Sequence, residues 1–319
     1  MKTLLFLILS LLGPMPEGDP GQTLLLFWNL ENFFDYRDEG TGDSDLEFSS
    51  MGDRHWTKTK FYRKCLGAAK TILWISDIYG KLPDIVGVAE VENAFVVRRL
   101  VQGDLLKKYG YGFIHYDSPD RRGIDVALLY RKAVFDTLES GACRVVAEVK
   151  DLRTRDILRV KLRHRATGDT VTVLVNHHPS KYGGGETSWR REAAVERLRS
   201  LADSLRRNGD RNIVAIGDFN DTPDNPLFKR LTGNGLLHLM KPDEGEGTIR
   251  FNGKWEMIDL CFISPGLLKR GPKLIIPNPP FLTEQDRSHS GDKPLRTYTG
   301  PRYNGGVSDH RPILLILER

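Results

Sequence analysis

At 319 residues, with 39% hydrophobic and 28% charged residues, the chain is long enough for one large α/β domain or two small ones, and its composition is that of an ordinary globular protein. This excludes a disordered or fibrous chain. The formal net charge is +5, with charges interspersed and no long basic run, which is compatible with a polyanionic partner without singling one out. The cysteines Cys65, Cys143 and Cys261 have no zinc-ligand spacing, and their odd number argues against a disulfide framework, so they read as small buried residues.

The N-terminus departs from the rest. Lys2 precedes an apolar run, Thr3 to Leu12, which Gly13, Pro14, Pro16, Gly18 and Pro20 then break. The run is too short to span a bilayer and has the form of a secretory signal peptide. Residues 1–20 are therefore read as a signal peptide without a fixed cleavage point, and residues 21–319 as a single domain, secreted or periplasmic. No cysteine follows the run, so no lipoprotein anchor is expected.

Thr23–Trp28 is a predicted strand that ends in Asn29-Leu30-Glu31-Asn32, followed by an acidic loop over Asp35–Asp53. Thr57 is placed to cap a helix running to about Ile78, with Phe61, Cys65, Ala68, Ile72 and Ile75 along one face. Asp84–Ala89 is a second buried strand and ends in Glu90. A helix over Ala94–Lys108, a strand over Gly112–Tyr116, the loop DSPDRRG and a strand over Asp125–Tyr130 follow. Cys143–Val149 and Ile157–Arg165 alternate about a charged turn, which predicts an antiparallel pair.

Val171–Val175 runs into Asn176-His177-His178, then a glycine run, Gly183–Gly185. Ser188 is the expected cap of a helix over Trp189–Arg207. Asn212–Ile216 ends in Gly217-Asp218-Phe219-Asn220, and alternation along an extended chain would point Asp218 and Asn220 to one side. Asn252-Gly253 predicts a hairpin between Thr248–Phe251 and Trp255–Ile263, with Asp259 inside the second arm, where an unpaired charge is costly. Lys269–Gly306 reads as a long irregular segment whose length itself suggests function. Ser308-Asp309-His310 and the strand Ile313–Leu317 close the chain.

Successive apolar strands thus finish in Asn, Glu, Asp or His, the donor set needed to hold a hard divalent cation and act on a phosphate. The ordered stretches WNLEN, VGVAEVEN, RRGIDVALLY, VNHHPS, IGDFN, WEMIDL and VSDHRP resemble the endonuclease/exonuclease/phosphatase superfamily, in its deoxyribonuclease I-like form and as a secreted bacterial-type member. The resemblance covers essentially all of residues 21–319. It implies an α+β fold: a four-layer αββα sandwich of two mostly antiparallel sheets, packed face to face with helices outside.

Residue by residue, the resemblance implies that Glu90 is the principal Mg²⁺ ligand, with Asn29, Glu31 and Asp309 at the metal shell. Mn²⁺ is the expected substitute. It implies that His310 is the catalytic histidine and Asp259 the carboxylate that orients it. Asp218 and Asn220 would position the attacking water and the phosphate, and His177 would be the second active-site histidine. Asn29 and Asn220 are also expected to touch the substrate. Asp125 is a candidate partner of His177. Ahead of the Ser-Asp-His stretch, Arg296 could grip a phosphate oxygen, and Tyr298 or Tyr303 could stack on a base or cover a headgroup, so this loop is expected to set substrate choice.

The expected activity is Mg²⁺-dependent phosphodiester hydrolysis, foremost by a secreted nuclease acting on nucleic acid as a monomer without a stable membrane anchor. The alternatives are a sphingomyelinase-like phospholipase, an inositol or sugar phosphate phosphatase, and, in another class, an inactive binding protein on the same fold. Fold alone does not choose among them.

Overall fold

The computed structural model describes residues 21–37, 39–40, 42–147, 151–181, 187–244 and 246–318. The signal-peptide expectation and the glycine run 183–185 lie outside them. In chain order the first strands are β1 (Thr23–Phe33), β2 (Ile85–Val91), β3 (Tyr111–His115), β4 (Asp125–Arg131) and β5 (Phe135–Cys143). Next come β6 (Ile157–His164), β7 (Thr170–His177), β8 (Ile213–Asp218), β9 (His238–Leu239), β10 (Pro242–Glu244), β11 (Ile249–Phe251), β12 (Lys254–Glu256), β13 (Asp259–Ile263) and β14 (Lys273–Ile275). The last are β15 (Thr283–Gln285), β16 (Asp292–Pro294), β17 (Tyr298–Thr299), β18 (Arg302–Tyr303) and β19 (Ile313–Leu317). The long helices are α1 (Lys58–Tyr79), α2 (Ala94–Gln102) and α3 (Ser188–Arg207).

Two large sheets result, a seven-stranded one in the order β10-β14-β19-β1-β2-β4-β3 and a six-stranded one in the order β5-β6-β7-β8-β13-β9. Pairing is antiparallel except for β1–β2, β10–β14 and β7–β8. The apolar runs are continuous because both faces of the central strands are covered. In β1, Leu25 and Phe27 point into the core that the first sheet shares with the second, while Leu24, Leu26 and Trp28 pack with α1 and α2. Ala194, Leu198 and Leu205 of α3 join the intersheet core from the far side of the second sheet. The layers are therefore helix, sheet, sheet, helix.

The parallel pairs matter most for function. β1 beside β2, and β7 beside β8, bring four strand C-termini to one rim of the sandwich. Their antiparallel neighbours β13 and β19 begin at that same rim. Gly217 belongs to this geometry. A Cβ there would lie 2.1 Å from the Asn176 carbonyl oxygen, so glycine lets β8 lie close against β7 one residue before Asp218.

Several boundaries differ from expectation. Thr57 caps α1 as anticipated, accepting from the Lys60 amide at 3.4 Å. The helix expected to reach Lys108 stops at Gln102, because Gly103 is extended; a short 3₁₀ turn over Lys107–Tyr109 follows. Ser188 is the first helical residue of α3 rather than its cap, and Thr187 before it makes no capping bond with its side chain. The partner of β6 is β5, not Cys143–Val149. β5 is an edge strand, largely exposed in its middle, and lacks the apolar alternation that would have announced it. Cys65 and Cys261 are buried, but Cys143 is only half-buried.

The Asn252-Gly253 turn forms with both residues at positive φ, 48° and 77°. Its second arm ends at Glu256. Asp259 is thus not inside that arm but opens β13 in the other sheet, opposite Asp218. The segment expected to be irregular supplies β14 to the first sheet and two small hairpins, β15–β16 and β17–β18.

Candidate active site

The rim gathers side chains from both sheets. His310 Nδ1 lies 2.7 Å from Asp259 Oδ2, and both residues are buried. The entry of β19 fixes this pair: the Trp28 indole N–H donates to the His310 carbonyl at 2.8 Å, and the Ser308 hydroxyl donates to the Asn29 carbonyl at 2.6 Å. With Nδ1 engaged, Nε2 of His310 faces Asp218 Oδ2 and Asp309 Oδ1, each at 3.8 Å. Burial disfavours the imidazolium, but the carboxylates of Asp259, Asp309 and Asp218 outweigh it and hold His310 well above its ordinary pKa.

Asp218 accepts from the Asn29 amide group at 3.0 Å and from the Asn220 backbone N–H at 2.8 Å. Burial, reinforced by Asp259, pushes its carboxyl up to about 7 against the opposing pull of His310. His177 Nε2 stands between Asp218 at 3.7 Å and Glu90 at 3.8 Å. Burial and the Arg155 cation hold His177 well below its ordinary pKa, so it is a neutral imidazole. Its Nδ1 is buried without a hydrogen-bond partner.

The other half of the site is a row of carboxylates set between cations. Glu90 accepts from the Asn32 amide at 2.7 Å and faces both terminal nitrogens of Arg122 at 3.3 and 3.4 Å. Burial opposes its ionisation, yet Arg122, His177 and the Asn32 amide hold it below the usual carboxylate range. Glu31 accepts from the Thr297 amide at 2.8 Å and from Arg296 Nε at 3.0 Å, and the same guanidinium reaches Asp309 at 2.9 Å. Burial and the Asp309 charge push Glu31 up to about 7. Glu31, Asn32, Glu90 and Asn220 all lie at positive φ, between 44° and 60°. Each such non-glycine residue costs on the order of 1–3 kcal/mol, a strain characteristic of functional sites.

Glu31, Glu90 and Asp309 each offer carboxylate oxygens of the kind a hard divalent cation takes. Their charge is balanced by Arg122 and Arg296, whose side chains are 40% and 50% exposed. Among the described residues, Glu31, Glu90 and Asp309 do not close to within 4.8 Å of one another as a set; His115, Asp117 and Asp125 do, and so do Asp218, Asp259 and His310. Their direct Asp259–His310 hydrogen bond makes them a proton-handling group instead.

Most of the expected residues meet here: Asn29, Glu31, Glu90, His177, Asp218, Asp259, Arg296, Asp309 and His310. Asn220 stands beside them, but its amide group donates to the His178 carbonyl at 2.9 Å. The strand ends at Asp218 and turns, so the alternation argument fails for Asn220. Tyr303 is not brought to the rim; it packs with Tyr298, Trp56 and Lys60 against α1. Asp125 pairs not with His177 but with His115, at 3.4 Å, and with Ser118.

Sequence reasoning missed Lys64, Arg122, Arg155 and Thr297. Lys64, wholly buried on α1, donates to the Glu31 carbonyl and, at 2.7 Å, to the Thr297 hydroxyl. Its signal was present: it lies three residues after Phe61 and four before Ala68, within the apolar stripe of α1. Arg155 donates to Asp120 at 2.9 Å and to the His178 carbonyl at 2.7 Å. Like Arg122, it sits in a loop where no periodicity marks it.

A two-sheet sandwich with carboxylates, a buried Asp–His pair and a neutral histidine on one rim is the frame of a phosphoester hydrolase that works with a divalent metal ion. Comparison with known proteins agrees. A family model described as "Endonuclease/Exonuclease/phosphatase family" matches residues 24–319. Drosophila melanogaster nocturnin is 23% identical over 175 residues, 52% of this chain and 26% of that protein, so the chain spans about a quarter of nocturnin's length. Among solved structures, an endonuclease/exonuclease/phosphatase family protein from Bacteroides thetaiotaomicron superposes with a TM-score of 0.60 at 17% identity, covering 93% of this chain and 97% of that one. A mannosyl-6-phosphatase from the same organism superposes at 0.58 with 18% identity, covering 92% and 98%. At these identities the structures speak for the fold alone. This chain belongs to the endonuclease/exonuclease/phosphatase family, whose members are metal-dependent phosphoric ester hydrolases.

Proposed function

We propose that this chain is a Mg²⁺-dependent hydrolase of phosphate esters, exported from the cell, in which Glu31, Glu90 and Asp309 hold the ion. Bound there, Mg²⁺ would neutralise charge on a phosphate oxygen as water attacks phosphorus. The remaining work falls to the chain. Asp218, its carboxyl raised to about 7 by burial, accepts in its ionised form the proton of the attacking water. His310, charged and oriented by Asp259, presents Nε2–H to the phosphoryl oxygens. Neutral His177 and Asn29 donate beside it. The carrying observation is the division of the rim between carboxylates flanked by arginines and a buried Asp–His pair.

Sequence favours nucleic acid as substrate; the likeness to a mannosyl-6-phosphatase raises sugar phosphates as the second reading. Export rests on Lys2 and the apolar run after it, and an N-terminus of the secreted protein near residue 21 would bear it out. The test of the activity is turnover of bis-p-nitrophenyl phosphate in Mg²⁺ and in EDTA. We expect it to need the metal and to be lost in Glu90→Gln, which removes a charge with little change in volume. Undiminished turnover in EDTA would overturn the proposal.

A further inference from the structure

Beside Glu31, on the metal-binding half of the rim, lies a cavity of about 160 Å³ that none of the reacting groups fills. Phe48, Arg54, Arg296, Tyr298 and Thr299 line it together with Glu31. At about 30 Å³ per water molecule it holds the equivalent of about five waters, the space of one sugar ring and not of a continuing polymer.

The wall is built for such a ring. Phe48 and Tyr298 meet edge to face, with centroids 6.3 Å apart. The Arg54 guanidinium lies over both rings, 5.7 Å and 5.5 Å from their centroids. The Arg54 and Arg296 guanidinium groups, the Thr299 hydroxyl and the Glu31 carboxylate, beside two buried rings, offer polar partners for the hydroxyls of a sugar. At the cavity wall the two loops are tied together. The Tyr298 hydroxyl donates to the Arg54 carbonyl at 2.8 Å, and the Arg54 guanidinium donates to the Gly300 carbonyl. A chain leaving the phosphate on this side would run into that tie.

We propose that this cavity receives the single sugar ring that carries the phosphate, so that the enzyme acts on terminal phosphoesters rather than on internal phosphodiesters of a duplex. The inference rests on the hydrolase reading above. The sugar could come from a free sugar phosphate or from a nucleotide, and the arms of the test separate them.

Thr299 lies exposed on the rim of the cavity, so Thr299→Trp fills it from solvent without entering the core. With the full chain in Mg²⁺, we expect this variant to raise KM for glucose 6-phosphate or thymidine 5′-monophosphate at least about tenfold, a loss matching that of one well-packed contact. Acetyl phosphate, which carries no ring, should be hydrolysed as by the wild type. Binding is read separately by calorimetry in Asp218→Asn, which removes the proton acceptor; adding Thr299→Trp should weaken affinity for the preferred ester by the same factor. Cavity-dependent binding without turnover by the wild type would sustain the pocket and sink the hydrolase reading. Turnover or binding that Thr299→Trp leaves unchanged would overturn the pocket. So would faster nicking of supercoiled plasmid than hydrolysis of any terminal ester.

Discussion

The two halves of the rim are built differently. On one, His177, Asp218 and Asp259 sit at strand ends or starts, buried, with their positions set by sheet register, and the buried His310 is held against Asp259 three residues before β19. On the other, Glu31 and Glu90 lie on left-handed backbone where β1 and β2 bend away, and Asp309 lies in a turn. Their counter-charges come from loops, through Arg122 and Arg296. The first half is held largely by the sheets, although His177 Nδ1 and Asp259 Oδ1 are buried without hydrogen-bond partners. The second is held by arginines that are half exposed. On the roles proposed above, proton handling would rest on groups fixed by the sheets and ion binding on groups whose partners come from loops.

The largest expected effect tests the sheet-held half. Asp259→Asn and His310→Ala should each lower kcat by about 10²–10⁴-fold, the range for a positioned acid or base. Because the two act as one unit, the double variant should be no worse than the more damaging single one. Multiplied losses would show that the 2.7 Å contact is incidental to turnover.

The next effect belongs to the arginine-held half and the lysine beneath it. Lys64 ties the bent end of β1 to the Thr297 loop, with its ammonium near the Phe33 and Trp56 rings at 5.6 Å and 5.8 Å. Burial pushes its pKa down to about 8, against the pull of Glu31, Glu90 and Asp309. Lys64→Met should weaken apparent Mg²⁺ affinity by about 10–100-fold, as loss of a residue supporting metal ligands does. At saturating Mg²⁺ kcat should return to within a few-fold of wild type. A kcat that stays low at all Mg²⁺ concentrations would place Lys64 with the proton-handling group instead.

The smallest effect is on stability and lies one step behind Glu90. Burial pushes Glu92 up to about 9, with the bond to Asp45 and the charge of Asp35 adding to it. Its proton therefore favours the folded state fully below its ordinary value of about 4.5, and that contribution is lost as pH rises through about 9. Glutamine can donate to Asp45 at any pH. Melting temperatures of wild type and Glu92→Gln should agree near pH 5 and diverge in favour of the variant by pH 9. Parallel curves would mean that Glu92 is charged in the folded protein.

Both halves were legible in sequence wherever an apolar strand ends in a polar residue. A strand that must bury both faces is a continuous apolar run, so its polar end stands out, as at Asn29, Glu90, His177 and Asp218. Asp259 was conspicuous as a charge in an apolar stretch, although its strand was assigned to the wrong hairpin. The sequence-distant cations were not legible. Arg122 and Arg155 lie in loops without periodicity, and nothing in the sequence separates Tyr298 from Tyr303, which face each other across a two-residue hairpin with Tyr298 the more buried. Asn220 misled because its positive φ ends the alternation that extended chain would keep.

The division of labour itself is tested most directly by titrating Mg²⁺ into Glu90→Gln and Asp259→Asn by calorimetry, beside turnover of bis-p-nitrophenyl phosphate. Asp259→Asn should bind Mg²⁺ within a few-fold of wild type and yet fail to turn over, while Glu90→Gln should lose both. Loss of Mg²⁺ binding in Asp259→Asn, or wild-type Mg²⁺ binding in Glu90→Gln, would contradict the separation of the rim into a metal-holding half and a proton-handling half.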